Sequence, residues 1–184
     1  MKWFLDLGSN RGKILREFVA SPEYEDGMNL HAFEANPLID EKIIRSYPAG
    51  TIVHRKAVWI HDGTVDFYVN PNGEKMESSS VIREKKTGGL DFHHPLHIPC
   101  VDFSAWLKSN ISPGDNVICK CDIEGAEYEV FKKLCSEGTI SLLSLVYMER
   151  HWSKIGMSKS DDEAFCRKLR CHGLKLRGEY KKVA

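Results

Sequence analysis

The sequence predicts an α/β fold, a three-layer sandwich in which helices cover both faces of a mainly parallel sheet. A short apolar strand at 3–7 runs through a glycine-containing turn into a helical pattern. A second strand, at 29–33, ends in the acid Glu34. A later strand, at 117–121, ends in several acids and is followed by an amphipathic helix at 126–135. Because strands alternate with helices along the chain, parallel pairing with crossover helices is expected.

The turn after the first strand has the spacing D-x-G-x-x-x-G, from Asp6 through Gly8 to Gly12. Glycine lets the main chain bend and lets a ligand approach it closely. A strand that turns into a helix, here predicted at 12–20, also presents backbone N–H groups and a positive helix end. The spacing differs from the G-x-G-x-x-G of dinucleotide enzymes and favours a ligand without a pyrophosphate.

The next elements are predicted from turn signals. Pro37 opens a short helical segment, and a strand is expected at 51–59. Asp62 and Gly63 form a tight turn from which the chain returns as a strand at 65–69. The segment 74–97 is polar and poor in apolar periodicity, so we expect an inserted loop that faces the substrate.

Capping signals place the last elements. Asp102 or Ser104 can cap a helix that precedes the strand at 117–121. A further strand is expected at 142–148. The sequence at 160–163 fits a capping box that begins the last helix, and the final strand is expected at 174–180.

Composition indicates one compact domain over residues 1–184. Lys and Arg together number 26, as do Asp and Glu, so no overall field attracts nucleic acid, and a nucleic-acid partner is not expected. The basic run at 83–86 is interpreted as a solvated face, with an anionic ligand as the alternative. No segment is long and apolar enough to span a bilayer, and the N-terminus is too short and acidic for a signal peptide. The six cysteines contain no C-x-x-C motif and are interpreted as reduced thiols of a cytoplasmic protein.

Three segments carry a resemblance to a known family. They read FLDLGSNRG at 4–12, HAFEANP at 31–37 and KCDIEGAEYEVFKKL at 120–134, the last being the most specific. The chain resembles the FkbM family of S-adenosylmethionine-dependent methyltransferases over nearly its whole length. The resemblance implies a Rossmann-like class I methyltransferase fold and S-adenosyl-L-methionine as cofactor. Such sheets usually close with a seventh, antiparallel strand, which the residues after Tyr180 are too few to form, so we expect the sheet to lack it or a homo-oligomer partner to cover the edge.

The cofactor residues follow from the motif positions. The glycines of the turn would admit the methionine portion, and Asp6 would orient the turn or accept from the cofactor ammonium. Glu34 ends the second strand, where an acid accepts hydrogen bonds from a ribose diol. Ala35 is too small to stack on adenine, a role for which Phe33 or Trp59 are the alternatives. The predicted cofactor residues are Asp6, Gly8, Ser9, Asn10, Gly12, Glu34, Ala35, Ala57 and Asp122.

An alcohol acceptor must lose its proton as it attacks the sulfonium methyl, which requires a general base or a metal ion. The predicted catalytic residues are His151, ranked first as base, then Asp122, Glu149 and Lys120. Asp122, Glu124 and Glu149 could also bind a divalent cation through oxygen. Two plainer interpretations stay open: His151 as a hydrogen-bonding loop residue, and Glu127 as an acid at a helix N-terminus.

The resemblance implies an O-methyltransferase acting on a hydroxyl group, with a sugar of a glycan or glycosylated metabolite as the leading acceptor. One alternative is a ribose 2′-O-methyltransferase acting on RNA, which predicts a basic groove and salt-sensitive binding. Another is a non-catalytic interaction module that binds the cofactor without releasing its methyl group.

Overall fold

The computed structural model describes residues 1–72 and 78–180. Its strands are β1 Lys2–Leu7, β2 Asn29–Phe33, β3 Ile52–His54, β4 Ala57–Trp59, β5 Gly63–Phe67, β6 Leu96–Asp102, β7 Asn116–Cys121, β8 Leu145–Met148 and β9 Lys175–Arg177. Its helices are α1 Lys13–Val19, α2 Glu41–Ile44, α3 Phe103–Asn110, α4 Glu127–Ser136 and α5 Lys159–Cys171. Two short 3-10 helices span Thr139–Leu142 and Trp152–Ile155.

The main sheet has six strands in the order β3-β2-β1-β7-β8-β9, and every neighbouring pair is parallel. The predicted α/β fold with a mainly parallel sheet is confirmed. Within residues 1–72 and 78–180 this sheet contains no antiparallel strand. The strand order reverses beside β1, because β2 lies on one side of it and β7 on the other. In open α/β sheets, ligands bind in the crevice at the carboxyl ends of the strands at such a switch point.

Side-chain alternation along the strands divides the core into two layers. Leu5 faces the helices α3, α4 and α5, where it belongs to the same buried cluster as Phe131 of α4. Phe4 faces the opposite side, where its ring stacks on Phe18 of α1 with centroids 3.8 Å apart. Burying a phenylalanine side chain of this kind contributes about 1.5–3 kcal/mol. The two apolar layers fix the register of β1 and so fix where its carboxyl end lies.

The single strand predicted at 51–59 is wrong. β3 pairs with β2 in the main sheet, whereas β4 pairs with β6 in a second, three-stranded sheet of order β4-β6-β5. Between them the guanidinium of Arg55 donates to the backbone oxygen atoms of Asn36 and Pro37, at 3.3 and 3.4 Å. Both strands are extended and apolar, so periodicity alone cannot show that the hydrogen-bonding partner changes between them.

The inserted loop expected at 74–97 is shorter than predicted, because β6 already begins at Leu96 and pairs antiparallel with β5. Residues 74–77 of that prediction lie outside the described residues. Ser80 forms an isolated antiparallel bridge with Tyr68, which ties the loop to the end of β5.

Two helix-capping predictions have different outcomes. Asp102 caps α3, as expected, because its carboxylate accepts from the backbone N–H groups of Ser104 and Ala105 at 3.1 and 3.2 Å. The last helix is capped by Ser158, two residues before the predicted position, and the Ser158 hydroxyl accepts from the N–H of Asp161 at 3.1 Å. Either serine satisfies the sequence pattern, and the local backbone decides between them.

The strand predicted at 142–148 begins only at Leu145, because the 3-10 helix Thr139–Leu142 occupies the preceding residues. None of the helices in the described ranges is both long and apolar enough to cross a membrane.

Candidate active site

A cleft of about 680 Å³ opens where β1, β2 and β7 end. Residues that follow these strands lie on its wall, namely Gly8 after β1, Glu34 after β2 and Asp122 after β7. Ala57 of β4 contributes a wall from the second sheet. The cleft therefore lies at the sheet edge that the sequence predicted.

Gly8 permits the tight contact between the turn and β7. Its φ of 77° lies in the left-handed region, and a Cβ on this residue would stand 1.9 Å from the backbone oxygen of Asp122. The backbone N–H of Gly8 donates to the oxygen of Phe33 at 2.9 Å, and the ammonium of Lys120 donates to the Gly8 oxygen at 2.8 Å. No side chain larger than hydrogen fits here without moving the end of β7.

Glu34 is buried at the floor of the cleft with both carboxylate oxygens engaged. One oxygen accepts from the backbone N–H of Asn10 at 2.6 Å, and the other accepts from that of Asn36 at 2.7 Å. Burial raises the pKa of the Glu34 carboxyl, and the two backbone donors oppose that shift. Each oxygen of a carboxylate can accept more than one hydrogen bond, so both remain able to accept from the hydroxyls of a ligand.

The remaining wall is apolar. Of the predicted cofactor residues, Gly8, Asn10, Glu34, Ala35, Ala57 and Asp122 line the cleft. Of the two aromatic candidates for contact with adenine, Phe33 lines the cleft, whereas Trp59 lies on a separate surface groove. Ile39 and Phe67 also line the cleft. Sequence reasoning missed them because an apolar residue in a short helical segment or on a strand is ordinarily a core residue.

Asp6, Ser9 and Gly12, also predicted to bind cofactor, lie behind the cleft wall and support the turn. Asp6 is fully buried and its carboxylate lies 3.1 Å from the Lys120 ammonium. The Ser9 hydroxyl lies 3.1 Å from the hydroxyl of Tyr47, which itself donates to the backbone of Asn10. Gly12 precedes α1 with a φ of 66°, and a Cβ there would meet the Tyr47 ring.

Lys120, a predicted catalytic residue, is a buried ammonium among acceptors. The Lys120 ammonium contacts the Asp6 carboxylate and the Gly8 backbone oxygen, and it lies 3.6 Å from the Asp122 carboxylate. Burial alone would lower the pKa of Lys120, but the Asp6 and Asp122 carboxylates raise it above its usual value. The side chain therefore stays charged and fixes the turn, and a general-base role does not suit it.

The catalytic candidates on β7 and β8 converge on one imidazole. The Nε2 atom of His151 lies 3.3 Å from a Glu149 oxygen, 3.5 Å from a Glu124 oxygen and 3.6 Å from an Asp122 oxygen. We call these four residues the acidic cluster. The structure brings together every acid that the sequence suggested for a metal site, with His151 at the centre.

Glu127 fixes the orientation of the imidazole from the other side. One of its oxygens accepts from the backbone N–H of His151 at 2.9 Å and lies 3.0 Å from the imidazole Nδ1. Its other oxygen accepts from the N–H of Gly125 at 2.8 Å. Burial would lower the pKa of His151, but the Glu127 and Glu124 carboxylates raise it above its ordinary value. Glu127 lies in the first turn of α4 and His151 is a hydrogen-bonding residue after β8, as the two plainer interpretations had it, and the structure adds that the two residues are partners.

Glu124 is held by two lysines that sequence reasoning did not assign. Its carboxylate lies 2.8 Å from the Lys85 ammonium and 3.5 Å from that of Lys154. Burial would raise the pKa of Glu124, but Lys85 and His151 lower it below its usual value. Lys85 is buried, which corrects the interpretation of the run at 83–86 as a wholly solvated basic face. Lys85 is buried, unlike the other basic residues of the run, because it contacts Glu124, which is distant in sequence.

A second, smaller cavity of about 260 Å³ lies on the other side of the acidic cluster. Its wall includes Tyr147 and Tyr180 together with the carboxylates of Asp122, Glu149 and Glu179. Asp122 lines both this cavity and the larger cleft. The arrangement provides two compartments that meet at one carboxylate.

We compared the chain with models of known protein families. Residues 6–176 match the family described as the Methyltransferase FkbM domain, which is nearly the whole chain. The chain belongs to the FkbM methyltransferase family. Neither the curated proteins nor the solved structures compared with it include a significant match. Family membership makes the chain a methyltransferase that uses S-adenosylmethionine, and the glycine turn, Glu34 and the DIEG segment of the FkbM domain are the residues that form the cleft. The cytoplasmic location and the homo-oligomer at the sheet edge stay predictions.

Proposed function

We propose that this FkbM methyltransferase binds S-adenosylmethionine in the larger cleft and methylates a hydroxyl group that enters from the smaller cavity. The observation that carries the proposal is the position of Asp122, which lines both compartments. When bound, the cofactor supplies an electrophilic sulfonium methyl group. An acceptor held in the smaller cavity would approach that methyl past a carboxylate that can receive its proton.

The residues of the cleft fit the nucleoside portion of the cofactor. Glu34 presents two carboxylate oxygens at the end of β2, suited to the two hydroxyls of a ribose. Gly8 lines the cleft without a side chain, so a ligand can approach the backbone of the turn closely. The apolar wall formed by Ile39, Ala57 and Phe67 suits a purine ring.

We assign the proton of the acceptor hydroxyl to the Asp122 carboxylate. The Asp122 side chain is 30% exposed, whereas that of His151 is 0% exposed and lies behind the carboxylates. His151 would then orient the acidic cluster, and Glu149, whose side chain is 39% exposed, would contact the acceptor from β8. This assignment places Asp122 ahead of His151, which the sequence had ranked first as base.

A sugar hydroxyl, in a glycan or a glycosylated metabolite, is the acceptor that we propose. Carboxylates accept hydrogen bonds from neutral hydroxyls, and tyrosine side chains offer an apolar ring with a polar tip. The smaller cavity carries both kinds of group. An RNA ribose acceptor is less consistent with this wall, because the phosphate backbone would meet the carboxylates of Glu149 and Glu179.

The test is a radiolabelled methyl-transfer screen over monosaccharides, oligosaccharides and RNA, with calorimetry of cofactor binding. Glu34→Ala should weaken cofactor binding by at least tenfold, and Asp122→Asn should reduce transfer by about 10²–10⁴-fold. Asp91→Asn, at a partly exposed acid outside the site, is the matched control and should change neither. Methyl transfer to RNA alone would contradict the sugar acceptor, and cofactor binding without transfer to any acceptor would indicate a non-catalytic module.

The divalent cation suggested by the sequence would be a second way to acidify the acceptor hydroxyl at the acidic cluster.

A further inference from the structure

The imidazole of His151 has one satisfied and one unsatisfied nitrogen. Nδ1 is 3.0 Å from Glu127, whereas Nε2 makes no hydrogen bond within the described residues, although the side chain is 0% exposed. The nearest polar atoms to Nε2 are carboxylate oxygens of Asp122, Glu124 and Glu149, at 3.3–3.6 Å. The Asp122 oxygen that faces it is likewise buried without a hydrogen-bond partner in the described ranges, whereas the Glu124 oxygen pairs with the Lys85 ammonium at 2.8 Å. Acceptors do not stabilise one another, so this arrangement calls for a positive charge at its centre.

The charges around His151 leave room for two positive charges. Four carboxylates face the imidazole, those of Asp122, Glu124, Glu127 and Glu149. The two ammonium groups that contact them from outside, Lys85 and Lys154, both pair with Glu124. Lys120 is shared with Asp6, whose charge it balances. Four negative charges against two positive ones leave a net charge of minus two among the described residues, which one divalent cation neutralises and a single proton does not.

We propose that the acidic cluster is a divalent-cation site with Asp122, Glu149 and the Nε2 of His151 as its protein ligands. One ligand atom from each residue lies within 4.8 Å of the other two. Metal–ligand bonds of about 2.0–2.2 Å bring ligand atoms to within about 4.4 Å of one another, so a small rotation of the partly exposed carboxylates completes the site. Two carboxylates with one imidazole suit a cation that accepts both oxygen and nitrogen, of which Mn²⁺ is the probe that we choose.

Glu127 and Glu124 have different roles in this proposal. Glu127 holds the Nδ1 side of His151, the position that carboxylates take behind metal-binding histidines, and so directs the Nε2 lone pair at the cation. Glu124 is excluded from the ligand set because Lys85 and Lys154 already neutralise it. The site thus differs from the set Asp122, Glu124 and Glu149 that the sequence alone suggested.

The inference rests on the proposed function in one respect. The cation would lie beside the smaller cavity, where it would acidify the acceptor hydroxyl before Asp122 or solvent takes the proton. Cation binding itself needs neither cofactor nor acceptor and can be measured without them. The two proposals can therefore fail separately.

The experiment is a Mn²⁺ titration of the chelator-treated protein, followed by electron paramagnetic resonance and by calorimetry, with no other ligand present. We expect one saturable site, and we expect Glu149→Gln to weaken it by at least tenfold. Glu149 has the most exposed of the three ligand side chains, so this variant should fold, which circular dichroism checks. Asp91→Asn is the matched control, because Asp91 pairs with His94 at 2.8 Å in an exposed acid–histidine pair. It should bind Mn²⁺ like the unmodified protein.

Absence of saturable binding, or binding that Glu149→Gln leaves unchanged, would overturn the cation site. So would binding that disappears in Asp91→Asn, because the cation would then lie at the surface pair. Full methyl transfer in the presence of chelator, together with no Mn²⁺ binding, would overturn the site and leave the proposed function intact. Tight Mn²⁺ binding that Glu149→Gln abolishes would support the site even if no acceptor is ever methylated.

Discussion

The two halves of the active site are built in different ways. The cleft at the ends of β1 and β2 is formed largely by backbone, with Gly8 packed against the end of β7 and Glu34 held by two backbone N–H groups. The acidic cluster at the ends of β7 and β8 is formed by side chains, and it keeps unpartnered polar atoms around His151. The polar atoms of Glu34 in the cleft have hydrogen-bond partners within the protein, whereas the acidic cluster keeps unpartnered polar atoms that a bound ion or ligand would satisfy.

The largest expected effect on cofactor binding comes from breaking the backbone half. Gly8→Ala adds a Cβ 1.9 Å from the Asp122 oxygen and forces alanine into a left-handed conformation. Displacing the end of β7 should weaken cofactor binding by about 100-fold or more, equivalent to about 2.7 kcal/mol, as measured by calorimetry.

Gly50→Ala is the matched control for this change. Gly50 has a φ of 81°, but a Cβ there meets nothing within 4 Å. It should lose about 1–2 kcal/mol of folding stability from the backbone conformation alone and keep its affinity for the cofactor. Equal affinities in the two variants would show that the contact between turn and β7 is not needed.

The largest expected effect on folding stability comes from breaking the side-chain half. Glu127→Ala removes the acceptor of three donors, the Gly125 and His151 N–H groups and the imidazole, all of them buried. The free energy of unfolding, measured in urea, should fall by about 3–5 kcal/mol because those donors lose their partner.

Glu129→Ala on the same helix controls for helix propensity. The Glu129 side chain is half exposed and pairs with the exposed Lys132 at 2.7 Å, so the change should cost less than about 0.5 kcal/mol. A similar small loss in Glu127→Ala would contradict the role of Glu127 in holding His151.

The sequence predicted the backbone half of the site better than the side-chain half. The first strand and its glycine turn, Glu34 and the cap of α3 by Asp102 each depend on neighbours a few residues away, and the sequence located them. The contacts Lys85–Glu124 and Glu127–His151 join residues that are distant in sequence, and no local pattern distinguishes Lys85 from a solvated lysine. The change of sheet between β3 and β4 was missed for the same reason, because pairing partners are set by the whole fold.

The smallest expected effect concerns pH beneath the cleft. His31 of β2 lies 2.9 Å from the His54 ring, and burial, followed by the proximity of His54, lowers the pKa of His31 to about 4. The unfolded chain therefore binds a proton at a higher pH than the folded one, so stability falls as the pH drops from about 6.5 to about 4.

The loss should be on the order of 1–2 kcal/mol, because solvent screening reduces the effect of the shift. His31→Phe should flatten the dependence of unfolding free energy on pH in this window, as measured by urea titrations at pH 7 and pH 4.5. His172→Gln, at an exposed histidine after α5, should leave the dependence unchanged. An unchanged slope in His31→Phe would assign the acid sensitivity to other groups.

The three-stranded sheet that contains β4 separates one wall of the cleft from the main sheet. Ala57, Val58 and Phe67 line the cleft from β4 and β5, which among the described residues pair with β6 and not with the main sheet. A protein engineer could therefore reshape the cleft wall at these positions, which we propose faces the purine ring, while the strands that lead to Asp122 and Glu149 keep their own hydrogen bonds.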